Sequence, residues 1–187
     1  MKISKSQRKN LIFLVVIALL IIPQTRKPIQ VFLNKGLALF SPSVIDYEDR
    51  KVLDTYNWQL EDLDGKTFDY ASTKNKVVLI NFWATWCAPC IAEMPSLEKL
   101  YHDYNDKIIF LFVSNEDEEK ISMFLEKHNY SFKAYKAISE YPENFNVSSI
   151  PRTFLIDKKG NIVIDKKGAS NWNSEKMRAV IDELLSE

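Results

Sequence analysis

The chain is poor in the residues that make covalent or metal cross-links. Among 187 residues there are two cysteines and two histidines. Two cysteines cannot build the multi-bridge framework that staples small secreted domains, so the pair is either catalytic or idle. His102 and His128 fall on separate expected helices among polar neighbours. A zinc site would want two more Cys or His ligands at suitable spacing, so no metal and no organic cofactor is expected. An excess of charge of one sign is also missing, since 25 Lys and Arg balance 25 Asp and Glu. The balance is uneven along the chain. Residues 1–45 hold seven basic residues and no acidic one, leaving 18 basic and 25 acidic residues in the remainder. A mildly acidic domain argues against nucleic acid as a partner. There is no internal repeat, and the length allows one domain plus extra sequence.

What is present begins with the N-terminus. Lys2, Lys5, Arg8 and Lys9 precede an unbroken apolar run from Leu11 to Ile22. A positive flank before an apolar stretch is the layout of a secretory signal. Twelve residues are short for about 30 Å of hydrocarbon, yet no small-residue cleavage site follows: the next residues are Pro23-Gln24-Thr25-Arg26-Lys27-Pro28. Residues 29–40 could extend the membrane contact as an interfacial segment. The expectation is a single uncleaved N-terminal anchor over residues 1–45, with the basic flank holding the N-terminus in the cytoplasm and the domain outside. Residues 46–57 read as a linker and 58–187 as the folded domain.

The stretch that carries chemistry is Asn81-Phe82-Trp83-Ala84-Thr85-Trp86-Cys87-Ala88-Pro89-Cys90, followed by Ile91-Ala92-Glu93-Met94-Pro95. An apolar run, Val77 to Ile80, leads into it, and a helix-compatible segment leaves it. A strand that delivers Cys-x-x-Cys to a helix start is a redox pattern. The thiolate is the nucleophile of disulfide exchange, and a helix N-terminus stabilises it with partial positive charge and free N–H groups. Cys87 is expected exposed and acidified at the helix start. Cys90 is expected one turn on and behind it, within reach of a short disulfide. Pro89 suits the first turn, where no N–H is required. A purely structural role is disfavoured, because so short a loop removes little entropy from the unfolded chain.

The remaining elements follow from pattern. Trp58–Leu63 alternates before Asp64-Gly65, a hairpin signal. Lys76–Phe82 and Ile108–Val113 read as buried strands, and Ile91–Tyr104 as a helix that Pro95 should kink. Glu116–His128 reads as a helix with a solvated acidic start matched to the macrodipole. Ser131–Ala137 is ambiguous, and Pro142–Val147 reads as a turn or short helix. Arg152–Asp157 and Asn161–Asp165 form a hairpin around Lys158-Lys159-Gly160. Ser174 caps a final helix to Leu185. This order implies an α/β domain: a mixed sheet with helices on both faces.

The motif Trp83 to Cys90 with Glu93-Met94-Pro95, together with Ser149-Ile150-Pro151-Arg152-Thr153-Phe154-Leu155-Ile156-Asp157, resembles the membrane-anchored TlpA/ResA-like branch of the thioredoxin superfamily. The resemblance runs from about Trp58 to the C-terminus. It implies a thioredoxin fold with an N-terminal β-hairpin extension and a dithiol oxidoreductase of the cell envelope. Such an enzyme would reduce disulfides in exported proteins, with apocytochrome c among the analogous clients, and would take electrons from a membrane donor. It implies that Pro151 is cis and sets the Ile150 backbone beside the sulfurs to pair with an extended substrate. Trp86 would shield the cysteines and offer a docking surface; Trp83 is as well explained by packing. Thioredoxins proper carry a buried Asp at the position of Asn81. A neutral amide cannot act as a base, so the candidate for that role is Glu93, one turn after Cys90; its bland reading is an acid in a helix's first turns.

Two other functions are found on this fold. A thiol peroxidase would need Pro-x-x-x-Thr-x-x-Cys, but Ile80 and Ala84 stand at those places before Cys87. A copper-binding assembly factor of this fold would space its cysteines by three and add a histidine before the cis-proline. Here the spacing is two and no histidine lies between Asn129 and Pro151.

Overall fold

The computed structural model describes residues 4–145 and 147–187. Strand β3 (Val78–Phe82), an interior strand that leads into the cysteine loop, is buried at all five positions. Only a strand covered on both faces tolerates so continuous an apolar run. Among the described residues, seven strands form one sheet in the order β2-β1-β5-β4-β3-β6-β7. β4 (Ile109–Val113) runs parallel to β3, and β5 (Ala134–Ala137) parallel to β4. β6 (Arg152–Ile156) is antiparallel to β3, and β7 (Ile162–Lys167) to β6. β1 (Gln59–Asp62) and β2 (Thr67–Asp69) form the expected hairpin, which joins the sheet by pairing β1 antiparallel with β5. Gly65 turns it at φ +76°, a left-handed conformation that glycine adopts without strain. This is the mixed sheet that the thioredoxin resemblance implies.

Strand alternation divides the interior into two clusters. Leu79, Phe112 and Leu155 face the first, which also takes Leu97 and Leu100 of α3 (Ala88–Tyr104), Ile121 of α4 (Glu118–His128) and Ile181 of α5 (Glu175–Ser186). Each fully buried leucine or isoleucine contributes about 1.5–3 kcal/mol. Val78, Ile80 and Leu111 face the second cluster, closed by Trp58, Tyr70 and Phe145. On that face the flanking helices are single 3-10 turns, Tyr70–Thr73 and Glu143–Phe145. The geometry of right-handed crossovers explains the difference. β3, β4 and β5 step in one direction across the sheet, so α3 and α4 fall on the same side. Pro95 lies inside α3, which continues through it to Tyr104. Ser174 caps α5 as expected, its hydroxyl accepting from the Met177 N–H at 3.2 Å.

Near the N-terminus, α1 (Lys5–Ile21) ends before Pro23 and α2 (Pro23–Leu37) begins on it. Ile22 is extended (φ −69°, ψ 120°), the conformation that a following proline favours. Leu11, Ile12, Phe13 and Leu14 are exposed on α1. Among the described residues, no helix is long and apolar enough to cross a membrane. The twelve-residue apolar run would rise only about 18 Å as a helix. α2 packs alongside α3. The stretch expected as a linker lies along β7: the Ile162 N–H donates to the Lys51 carbonyl at 2.8 Å and the Leu53 N–H to Gly160 at 2.9 Å.

Candidate active site

The loop between β3 and α3 brings the two cysteines together. The Trp83 N–H donates to the Val113 carbonyl at 3.0 Å, carrying the β3–β4 ladder one residue beyond the strands. Cys87 is the N-cap of α3: it is extended, and its sulfur accepts the Cys90 N–H at 3.2 Å. A sulfur here does what an oxygen does at an ordinary cap, at the positive end of the helix. Cys87 and Cys90 form a disulfide, with Cα atoms 5.2 Å apart. Pro89 lies in the first turn, partly covered.

One expectation is corrected. Cys87 was expected exposed, but it is only 4% exposed, while its neighbour Trp86 is 64% exposed. In the disulfide the Cys87 sulfur points back towards Cys90 and the capping N–H, and α2 lies against the same helix. Trp83 is buried beside Phe124 and Phe132, which makes it a packing residue.

Two groups hold the loop from outside the motif. The Glu116 carboxylate accepts from the Thr85 N–H at 2.5 Å and from the Thr85 hydroxyl at 2.8 Å. Glu116 was expected to be solvated with Asp117, Glu118 and Glu119. It is half-buried and clamps the residue two before Cys87. From α2, the Lys27 ammonium donates to the Thr85 carbonyl at 2.8 Å.

Beneath the disulfide, Glu93 is fully buried, which removes the reading of it as a surface acid. Asn81, Thr153 and Lys166 are register partners in one row across β3, β6 and β7. Glu93 bonds to the first of them: the Asn81 Nδ2 donates to Glu93 Oε1 at 2.9 Å and to Thr153 Oγ1 at 2.7 Å. Glu93 Oε2 accepts from the Ser170 N–H at 3.1 Å and the Trp172 indole N–H at 2.9 Å. Burial pushes the Glu93 carboxyl up to about 7. The three N–H donors and the positive charge of Lys166 pull the other way. Cys90 and Glu93 are three apart on α3, a spacing that makes them neighbours on one helix face.

The Ile150–Pro151 peptide is cis, as the resemblance implied. The Pro151 carbonyl accepts the Gly168 N–H at 2.9 Å. Ile150 and Trp86 line a common groove of about 520 Å³, with Phe82, Glu116, Tyr141 and Phe145. The structure thus joins Cys87 to Cys90, places Glu93 one turn on, and sets Trp86 and Ile150 on one groove. Sequence reasoning missed Glu116, Lys27, Ser170 and Trp172. Only Glu116 carried a signal, as the first acid after a buried strand.

Comparison with known proteins agrees with this geometry. The model of the Redoxin family matches residues 42–184. The thiol-disulfide oxidoreductase ResA of Bacillus cereus is 33% identical over 136 residues, covering 68% of this chain and 76% of the relative. The thioredoxin-like protein YneN of Bacillus subtilis is 37% identical over 110 residues, covering 57% of this chain and 65% of its own length, just under two thirds. The crystal structure of a candidate thiol-disulfide oxidoreductase from Bacteroides vulgatus is 34% identical, with a TM-score of 0.56, over 67% of this chain and 90% of that one.

Proposed function

The chain belongs to the Redoxin family and is a thiol–disulfide oxidoreductase, and we propose that it reduces disulfides of exported proteins through Cys87 and Cys90. The observation that carries this reading is the Cys87–Cys90 disulfide at the start of α3 with the buried Glu93 carboxyl one turn on. In the reduced enzyme the Cys87 thiolate attacks a client disulfide. A mixed disulfide forms and one client sulfur leaves as a thiolate that takes a proton from water. The Cys90 thiol then gives its proton to the Glu93 carboxylate and attacks the Cys87 sulfur. The second client sulfur leaves, the client has gained two electrons, and Cys87–Cys90 is oxidised.

A carboxyl titrating near 7 suits this transfer, because a base works best when its pKa lies near the working pH. The groove between Trp86 and Ile150 would receive the client segment, with the Ile150 backbone pairing to it. Residues 58–187 form the catalytic unit and residues 46–57 lead into it. Residues 1–45 anchor the chain in the cytoplasmic membrane with the catalytic domain on its outer side, where a membrane donor returns the electrons. The basic residues before Leu11 and the exposed apolar side chains of α1 support that attachment.

The test is a redox titration of the pair in dithiothreitol buffers. The reading expects one reversible two-electron transition that disappears in Cys87→Ser. A pair that cannot be reduced without unfolding the domain would make it a structural bridge and overturn the reading.

A further inference from the structure

Glu93 does not hold its own position. Two of its three donors come from the connection between β7 and α5, more than seventy residues away in sequence: the Ser170 N–H and the Trp172 indole N–H, both on Oε2. That connection is itself fastened to α3. The Ser96 hydroxyl donates to the Glu93 carbonyl at 2.7 Å and accepts the Trp172 N–H at 3.1 Å. Trp172 is fully buried in the cluster that contains Cys87 and Cys90. Its indole therefore has one polar atom to satisfy, and that atom meets the carboxyl.

We propose that Trp172 is a positioning residue of the dithiol site, whose indole N–H fixes the Glu93 carboxyl and sets the pH at which Cys90 resolves the mixed disulfide. The inference rests on the proton-transfer role given to Glu93 above. Two effects oppose each other at the carboxyl. Burial favours the neutral acid, and each N–H directed at the carboxylate favours the anion. A bond to a charged group is among the stronger hydrogen bonds in a protein. The other groups around the carboxyl leave the indole a large share. Asn81 from β3 supplies one neutral donor, Thr153 from β6 bonds to Asn81, and the half-buried Lys166 from β7 acts only through its field. On α3 itself the titratable neighbour is Cys90. Without the indole N–H the acid holds its proton to higher pH and accepts the Cys90 proton less readily near neutrality.

The experiment follows single-turnover resolution of a preformed mixed disulfide against pH in the full chain. Trp172→Phe removes the N–H and keeps an aromatic ring. Replacement by 3-benzothienylalanine keeps the bicyclic shape and lacks only the donor, so it answers the question if the phenylalanine variant misfolds. Both should move the midpoint of the profile upward by about one unit, a change of about tenfold in rate below it. In a Glu93→Gln background the same replacements should move nothing. An unmoved midpoint with the benzothienyl side chain, while Glu93→Gln abolishes the titration, overturns the role of Trp172 alone. A profile indifferent to Glu93→Gln overturns the role of Glu93, and with it the premise.

Discussion

Asn81 and Glu93 meet inside the fold, the amide of one donating to the carboxyl of the other at 2.9 Å with both side chains fully buried. A buried carboxyl of this kind costs stability at alkaline pH. The Glu93 carboxyl is raised in the folded protein, from 4.5 to about 7, so the folded state binds a proton that the unfolded state releases. The stability this contributes is complete below about 4.5 and is lost as pH rises through 7.

Between pH 5 and pH 8 the oxidised wild type should therefore lose about 2–3 kcal/mol more than Glu93→Gln does. Urea denaturation of both proteins at the two pH values measures the difference. Parallel pH dependence would mean that Glu93 is ionised as easily in the fold as outside it.

The clamp on the active-site loop makes a separate prediction. Glu116→Ala leaves the Thr85 N–H without its carboxylate partner. It should cost about 1–2 kcal/mol of stability and speed hydrogen exchange at Thr85 and Trp86, with Glu116→Gln intermediate. Unchanged exchange in Glu116→Ala would return Glu116 to a solvated helix start.

Much of this site could be read from the chain, and the limits have physical causes. A continuous apolar run ending in Cys-x-x-Cys needs no partner to be recognised, and neither does Ser174 before a polar turn and an apolar stripe. β5 was ambiguous because its four residues are settled by neighbours on both sides, β4 at Phe112–Ala134 and β1 at Leu60–Ala137. The burial of Glu93 could not be read because its partners arrive from β3 and from the β7–α5 connection. An acid at that place in a helix looks the same whether solvent or an indole faces it. The packing of α2 on α3 was hidden for a like reason, since a basic amphipathic stretch after an apolar run also suits a membrane surface.

Reduced Cys87 should titrate below an ordinary cysteine, because its sulfur caps the N-terminus of α3. Alkylation rate against pH reads this directly. An apparent value at or above about 8.5 would remove the activated nucleophile from the account.

The N-terminal segment should hold the full chain in the membrane fraction through high salt, whereas a chain beginning at residue 42, where the Redoxin match starts, should leave the membrane fraction and lack the Lys27 contact to Thr85. Mass spectrometry of the mature protein decides whether the segment is retained. A mature N-terminus beyond Ile22 would contradict the anchor.

The most direct test of the central claim is trapping with Cys90→Ser. The mechanism assigns the first attack to Cys87 and the resolution to Cys90, which is fully buried. Serine stays protonated near neutral pH and cannot resolve, so Cys90→Ser should accumulate a reductant-sensitive adduct joining Cys87 to a client protein, and Cys87→Ser should accumulate none. Adducts on Cys87→Ser instead, or on neither variant while the wild type fails to exchange with any disulfide, would contradict the account.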